Sequence, residues 1–285
     1  MQALAEFIMR RPFNAVFVAA LFAMLPLFEW LSAGAVALVT LRKGWHQGLF
    51  ILAWAGLSGG IRWSLGDMLT LPMLITTFLG AVVLRQTVSL MYAIVTVSVL
   101  SVVALSLFQK MMPPGLEVLI DKTSKMLIDL EFVDQLSISD PGQWIHEFAI
   151  TSFGFSVAIA ALISLLIGRW WQARLYNPGG FQEEFHSLRL TPLMIVLLTG
   201  FAVAIVSFLP QLSFIGVLLS LPIFIAGIAL VHSVASIYNM GNRLLIPFYI
   251  LLALLNGYVY LLLMFFVIAD SFINIRQLLA AKKNQ

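Results

Sequence analysis

The sequence contains no cysteine. Disulfides, thiolate nucleophiles and cysteine-ligated metals are excluded with it. Charge is scarce too: Asp, Glu, Lys and Arg make up 10% of the residues, against about 25% in a soluble domain. No water-soluble surface can be assembled from so few ionic groups. Motifs that cradle nucleotides or activate water are also missing: there is no Walker A, no Rossmann glycine pattern, no HExxH and no His-x-x-x-His, and the glycine-rich "GLSGGIRWSLGD" sits in an apolar run and its turn, a weak phosphate cradle. We therefore expect no enzyme, no resident metal and no cofactor. The net charge of +3 is scattered along the chain, which gives no basic face for nucleic acid.

What is present is hydrocarbon. Hydrophobic residues make up 61% of the chain, and the mean hydropathy is +1.00. Apolar runs fall at 13–27, 28–41, 45–61, 66–84, 87–108, 148–168, 192–209, 211–233 and 246–269. A spanning helix needs roughly 20 apolar residues. The expected fold is an all-α polytopic transmembrane bundle in one domain, 1–285, with about 8–10 membrane segments and the lipid bilayer as its first partner.

Arg10 and Arg11 before an apolar run resemble a signal peptide, but the run continues past Pro26 and many spans follow. We expect a retained first helix. Residues 13–41 read as two short helices, because a single one would hold Glu29 near the bilayer centre, at a cost of about 2.5–3.5 kcal/mol. The split gathers Arg10, Arg11, Arg42, Lys43, Arg85, Arg169, Arg174, Arg189 and Arg243 on one side. The positive-inside rule makes that side cytoplasmic and the N-terminus with it. Arg62, Lys110, Lys122, Lys125 and most acidic residues fall on the other side. The basic tail "NIRQLLAAKKNQ" is then inside only if an early segment is re-entrant or the last one turns back at "LLNGYVY", where Asn256 and Gly257 offer a break.

Two pieces lie outside the hydrocarbon. The extracytoplasmic loop 109–147 carries an amphipathic helix near 114–136, opened by Pro113 and Pro114. Leu116, Leu119, Ile120, Thr123, Met126, Leu127, Leu130 and Val133 share one face, and Asp121 precedes Lys125 by one helical turn. The second piece is the cytoplasmic interfacial loop 169–191, "RWWQARLYNPGGFQEEFHSLRL" and the residue after it. Arg169, Trp170 and Trp171 read as headgroup anchors, Asn177 to Gly180 as a turn, and Phe181, Phe185 and Leu188 as a short interfacial helix. Glu183, Glu184 and His186, with Arg174 and Arg189 beside them, are either a docking surface for a cytoplasmic partner or a solvated face with ordinary ion pairs.

Polar residues within spans are the functional candidates. Glu29, Arg62 and Asp67 fall at the outer ends of the first segments, with Trp30 and Trp63 beside them. Such a cluster suits a small polar or zwitterionic ligand, or else an ion-pair network that holds helices in register. Ala15, Ala19 and Ala23 form a flat strip at four-residue spacing, which fits either a partner helix or internal packing. His232, alone near the inner end of a span, reads as a packing residue.

The stretch "RWWQARLYNPGGFQEEFHSLRL", with "LVTLRKGWHQG", the paired-helix start and "IADSFINIRQLL", resembles the YybS-like family of predicted bacterial membrane proteins, a domain of unknown function. Lys43 stands where that family tends to have histidine. The family is distantly similar to the S components of energy-coupling-factor transporters, which bind ligand from outside and dock a coupling protein through first-helix alanines. That resemblance implies a transport-type small-molecule-binding component of the bacterial inner membrane. The alternative is a membrane scaffold or assembly factor that docks other membrane proteins and has no ligand.

Overall fold

The computed structural model describes residues 1–111, 114–129, 140–209 and 212–283, and they are all-α, with fourteen helices. The chain opens on α1 (Gln2–Arg10), which hides Ala5 and Ile8, leaves Glu6 half-buried and exposes Arg10. Arg11 precedes a proline and is extended, at φ −145°, so α1 stops there and α2 (Pro12–Met24) starts in a new direction. Pro26 and Leu27, the latter at φ 68°, turn the chain into α3 (Glu29–Lys43). The split of 13–41 into two short helices is therefore present.

α3 is the axis of the first half. Every residue from Leu31 to Leu41 is buried. It is enclosed by α2, by α4 (Trp45–Ser64), by α5 (Thr70–Thr87) and by the long α8 (Pro141–Tyr176). The run Ser32, Ala33, Gly34, Ala35, Val36, Ala37 is small enough to let neighbouring backbones close in. Ser32 Oγ donates to the Ala19 carbonyl at 2.6 Å, and Thr77 Oγ1 donates to that of Ala161 at 3.3 Å. These bonds satisfy hydroxyls that lipid could not.

α6 (Leu90–Lys110) completes this half, and α7 (Pro114–Asp129) packs on the first part of α8. α7 confirms a helix in the loop and the Asp121–Lys125 pair, at 2.7 Å. Of the expected apolar face, Ile120 is half-buried beside the buried Ser124 and the start of α8, whereas Leu119 and Met126 are exposed. Residues 130–136 of the expected helix lie outside the described residues. α8 is capped by the Asp140 side chain and Pro141, and it runs through to Tyr176. The start of the expected interfacial loop is thus continuous helix. Trp171 is fully buried against Gly34 instead of sitting among headgroups.

Gly179, at φ 91°, turns the chain into the short α9 (Gly180–His186). The second half follows as α10 (Pro192–Phe208), α11 (Ser213–Ile237), α12 (Asn242–Leu254), α13 (Asn256–Ile273) and α14 (Ile275–Lys283). The break between α12 and α13 is a reversal. Tyr260 reaches Ser220, near the start of α11, while Asp270 reaches Arg189 and Lys283 reaches the carbonyl of Ile237 at its end. The tail returns to the arginine-rich end, as the turn at "LLNGYVY" requires.

This is a multi-span helical membrane protein. By length and composition α5, α6, α8 and α11 can each cross a bilayer, and α13 with α14 makes a fifth candidate bent by 76°. That is fewer than the 8–10 segments expected from apolar runs. α2, α10 and α12 have 13, 17 and 13 residues, and at about 1.5 Å per residue they fall short of about 30 Å of hydrocarbon. α3 is shorter than a span too, and its neighbours wrap it in protein.

Candidate functional sites at the two ends of the bundle

Glu29 opens α3, Arg62 lies in the last turn of α4, and Asp67 sits in the turn before α5. The fold brings the three together. Arg62 Nη2 lies 2.8 Å from Asp67 Oδ2, and Nη1 lies 3.4 Å from Glu29 Oε2 and 3.5 Å from the Ala23 carbonyl. Their side chains are only 14–19% exposed. Asp67 also starts α5: its Oδ1 accepts from the backbone N–H of Leu69 at 2.9 Å and of Thr70 at 3.4 Å, and its Oδ2 accepts from the Thr70 hydroxyl at 2.5 Å. One guanidinium therefore clamps the ends of α2, α3, α4 and α5.

The tryptophans do not wall this cluster. Trp30 Nε1 donates to the Leu27 carbonyl at 2.7 Å, and its ring lines an apolar groove of about 530 Å³ with Leu69 and Phe155. Trp63 lines another, of about 290 Å³, with Pro72, Phe108 and Phe153. Neither groove is lined by Glu29, Arg62 or Asp67.

The alanine strip is internal. Ala15, Ala19 and Ala23 are at most 2% exposed, on a helix packed against α3 and α4. They serve close packing within the chain and are covered against a partner helix. In the 169–191 segment, Arg174 and Glu183 are exposed. Glu184 and Arg189 are engaged: Glu184 accepts from Arg169 Nε at 2.6 Å, and Arg189 donates to the carbonyls of Asp270 and Ser271 at 2.7 and 2.8 Å. Burial raises the Glu184 pKa, and the Arg169 charge opposes that rise.

Two clusters went unforeseen. Asp270, almost wholly buried, lies 3.8 Å from Arg189 Nε and 3.6 Å from Arg276 Nε, and Arg276 donates to the His186 carbonyl at 2.8 Å. This knot ties the α9–α10 junction to the bend between α13 and α14. His232 packs beside it, 2.8 Å from the Tyr249 hydroxyl and edge-on to Phe185, a packing residue as expected. The second cluster is a cavity of about 320 Å³ at the arginine-rich end, lined by Arg42, Arg85 and Arg169 together with Gln172, Tyr176 and Asn177. Arg42 and Arg85 both lie in last turns of helices, at one end of the bundle, and that placement was the available signal. Among the described residues no group of three or more His, Cys, Asp or Glu could hold a metal ion.

No family model, curated protein or solved structure matches this chain. The comparisons therefore leave the class as a multi-span helical membrane protein, and the YybS-like resemblance gains no support from them.

Proposed function

We propose that this chain is a non-enzymatic membrane scaffold of the bacterial inner membrane, with its arginine-rich end, N-terminus and tail in the cytoplasm. One observation carries the choice over a transport-type binding component. Arg62 is spent on Glu29 and Asp67, at 3.4 and 2.8 Å, and the grooves on either side of the cluster do not include the three charged residues. A ligand site would need those charges turned toward a cavity. Closed on one another, they lock four helix ends and leave a rigid bundle. The covered alanine strip supports the same choice, because S-component docking would need it open. Exposed Arg174 and Glu183 are then the groups that face a partner.

The test is native mass spectrometry of the protein released in mild detergent. The scaffold reading expects a bound protein that survives Arg62→Gln and is lost on Arg174→Ala with Glu183→Ala. A small molecule retained by the wild type and lost on Arg62→Gln overturns it and restores the binding-component reading.

A further inference from the structure

We propose that the cavity at the arginine-rich end is a binding site for a phosphate group. Three guanidiniums line it against a single carboxylate, that of Glu184. That carboxylate is already taken, at 2.6 Å from Arg169 Nε, and Arg169 also holds Gln172 Oε1 at 3.1 Å. Among the described residues neither Arg42 nor Arg85 has an acidic partner. Arg85 donates to the Leu41 carbonyl, and the Arg42 guanidinium stacks over the Tyr176 ring at 4.0 Å. Each is thus held in place while charge-bearing N–H groups remain unused.

Local geometry builds the pocket. Gly44, at φ 99°, reverses α3 into α4 within one residue and leaves Arg42 beside the end of α5. Val88 forms the rim at φ 52°, a conformation that a β-branched side chain rarely takes. Leu41, Leu84 and Val88 make an apolar wall. Planar guanidiniums bind phosphate oxygens two at a time, and unpaired arginines between helices at a membrane surface suit phosphate-bearing headgroups. The apolar wall accepts the glycerol side of a phospholipid, and the open polar side accepts a soluble phosphate. The scaffold reading was chosen on the closed Arg62 cluster at the other end of the bundle, and its partner-facing groups, Arg174 and Glu183, do not line this cavity.

Delipidated full-length protein is titrated with dioleoylphosphatidylglycerol in mixed micelles and, separately, with inorganic phosphate. Dioleoylphosphatidylcholine serves as the comparison lipid, and binding is read by native mass spectrometry and thermal shift. Arg42→Gln with Arg85→Gln is expected to weaken binding by at least about tenfold. Arg10→Gln with Arg11→Gln, which removes as many charges from exposed positions at the same end, is expected to leave it near wild type. Binding of phosphatidylglycerol alone assigns a lipid headgroup, and binding of inorganic phosphate assigns a soluble ligand. Failure of the wild type to prefer either probe over phosphatidylcholine overturns the proposal, as does equal loss in both double variants. Should the Arg85 change unfold the protein, full affinity in a folded Arg42→Gln variant overturns it too.

Discussion

Gly168 of α8 crosses α3 so closely that a methyl group there would stand 2.6 Å from the Ala37 side chain and 3.0 Å from the Gly34 carbonyl. On the other side of the crossing, a methyl on Gly34 would meet its neighbours at 3.4–3.5 Å, which is ordinary contact. The two glycines are not equivalent. Gly168→Ala pushes on backbone that cannot give way and is expected to cost about 1–3 kcal/mol, as overpacked cores do. Gly34→Ala is expected to be nearly neutral. Thermal melting in detergent checks the order, and equal melting temperatures would contradict the close crossing.

The Arg62 clasp makes a graded prediction. Arg62→Gln leaves two largely buried carboxylates without their cation and is expected to cost about 3 kcal/mol, the lower end for a broken buried pair. Asp67→Ala loses the ion pair and also the acceptor for the Leu69 and Thr70 N–H groups, a cap worth about 1 kcal/mol more. Asp67→Asn keeps an acceptor and is expected to fall between Asp67→Ala and wild type. Melting temperatures of the series test this. If Asn and Ala prove equally damaging, the cap contributes nothing.

How much of this was readable beforehand follows from which forces act locally. The splitting of 13–41, the placement of Glu29, Arg62 and Asp67 at one end and the reversal near Asn256 all follow from the cost of charge in hydrocarbon and from helix-breaking residues. The sequence displays both. Whether a small residue faces lipid or protein depends on which helix lies beside it, so Ala15, Ala19, Ala23 and Trp171 could not be assigned a side. The Asp270 knot joins the α9–α10 junction to the bend after α13, a pairing made only by the fold. The arginine pocket was half legible: that Arg42, Arg85 and Arg169 fall at the same end of the bundle was readable, but their convergence on one cavity was not.

The turn-back of the tail is open to direct labelling, because a chain without cysteine accepts single cysteines on a silent background. Arg10→Cys and Lys282→Cys are expected to react with a membrane-impermeant maleimide from the same side of sealed vesicles. Lys122→Cys is expected to react from the other side. Labelling of Lys282→Cys together with Lys122→Cys would mean that α12 and α13 form one continuous span, and the reversal at Leu255 and Asn256 would be wrong.

His186 gives the pH dependence its sign. Burial, and then the positive charge of Arg276, lower its pKa from the usual 6.5. The unfolded chain therefore takes up a proton before the folded one does. Stability is full above about pH 6.5 and falls as the pH drops toward the lowered folded value, because the unfolded state binds more protons across that window. Glu184 works the other way: its raised pKa makes the folded form gain stability as the pH falls toward the usual carboxylate value. The two are separated by comparison with His186→Gln, since that variant keeps the Glu184 contribution and the backbone carbonyl that Arg276 uses. Wild type is expected to lose more melting temperature than His186→Gln between pH 7.5 and 5.5. Parallel losses in the two proteins would show that His186 titrates alike in the folded and unfolded states, and that its contact with Arg276 carries no electrostatic cost.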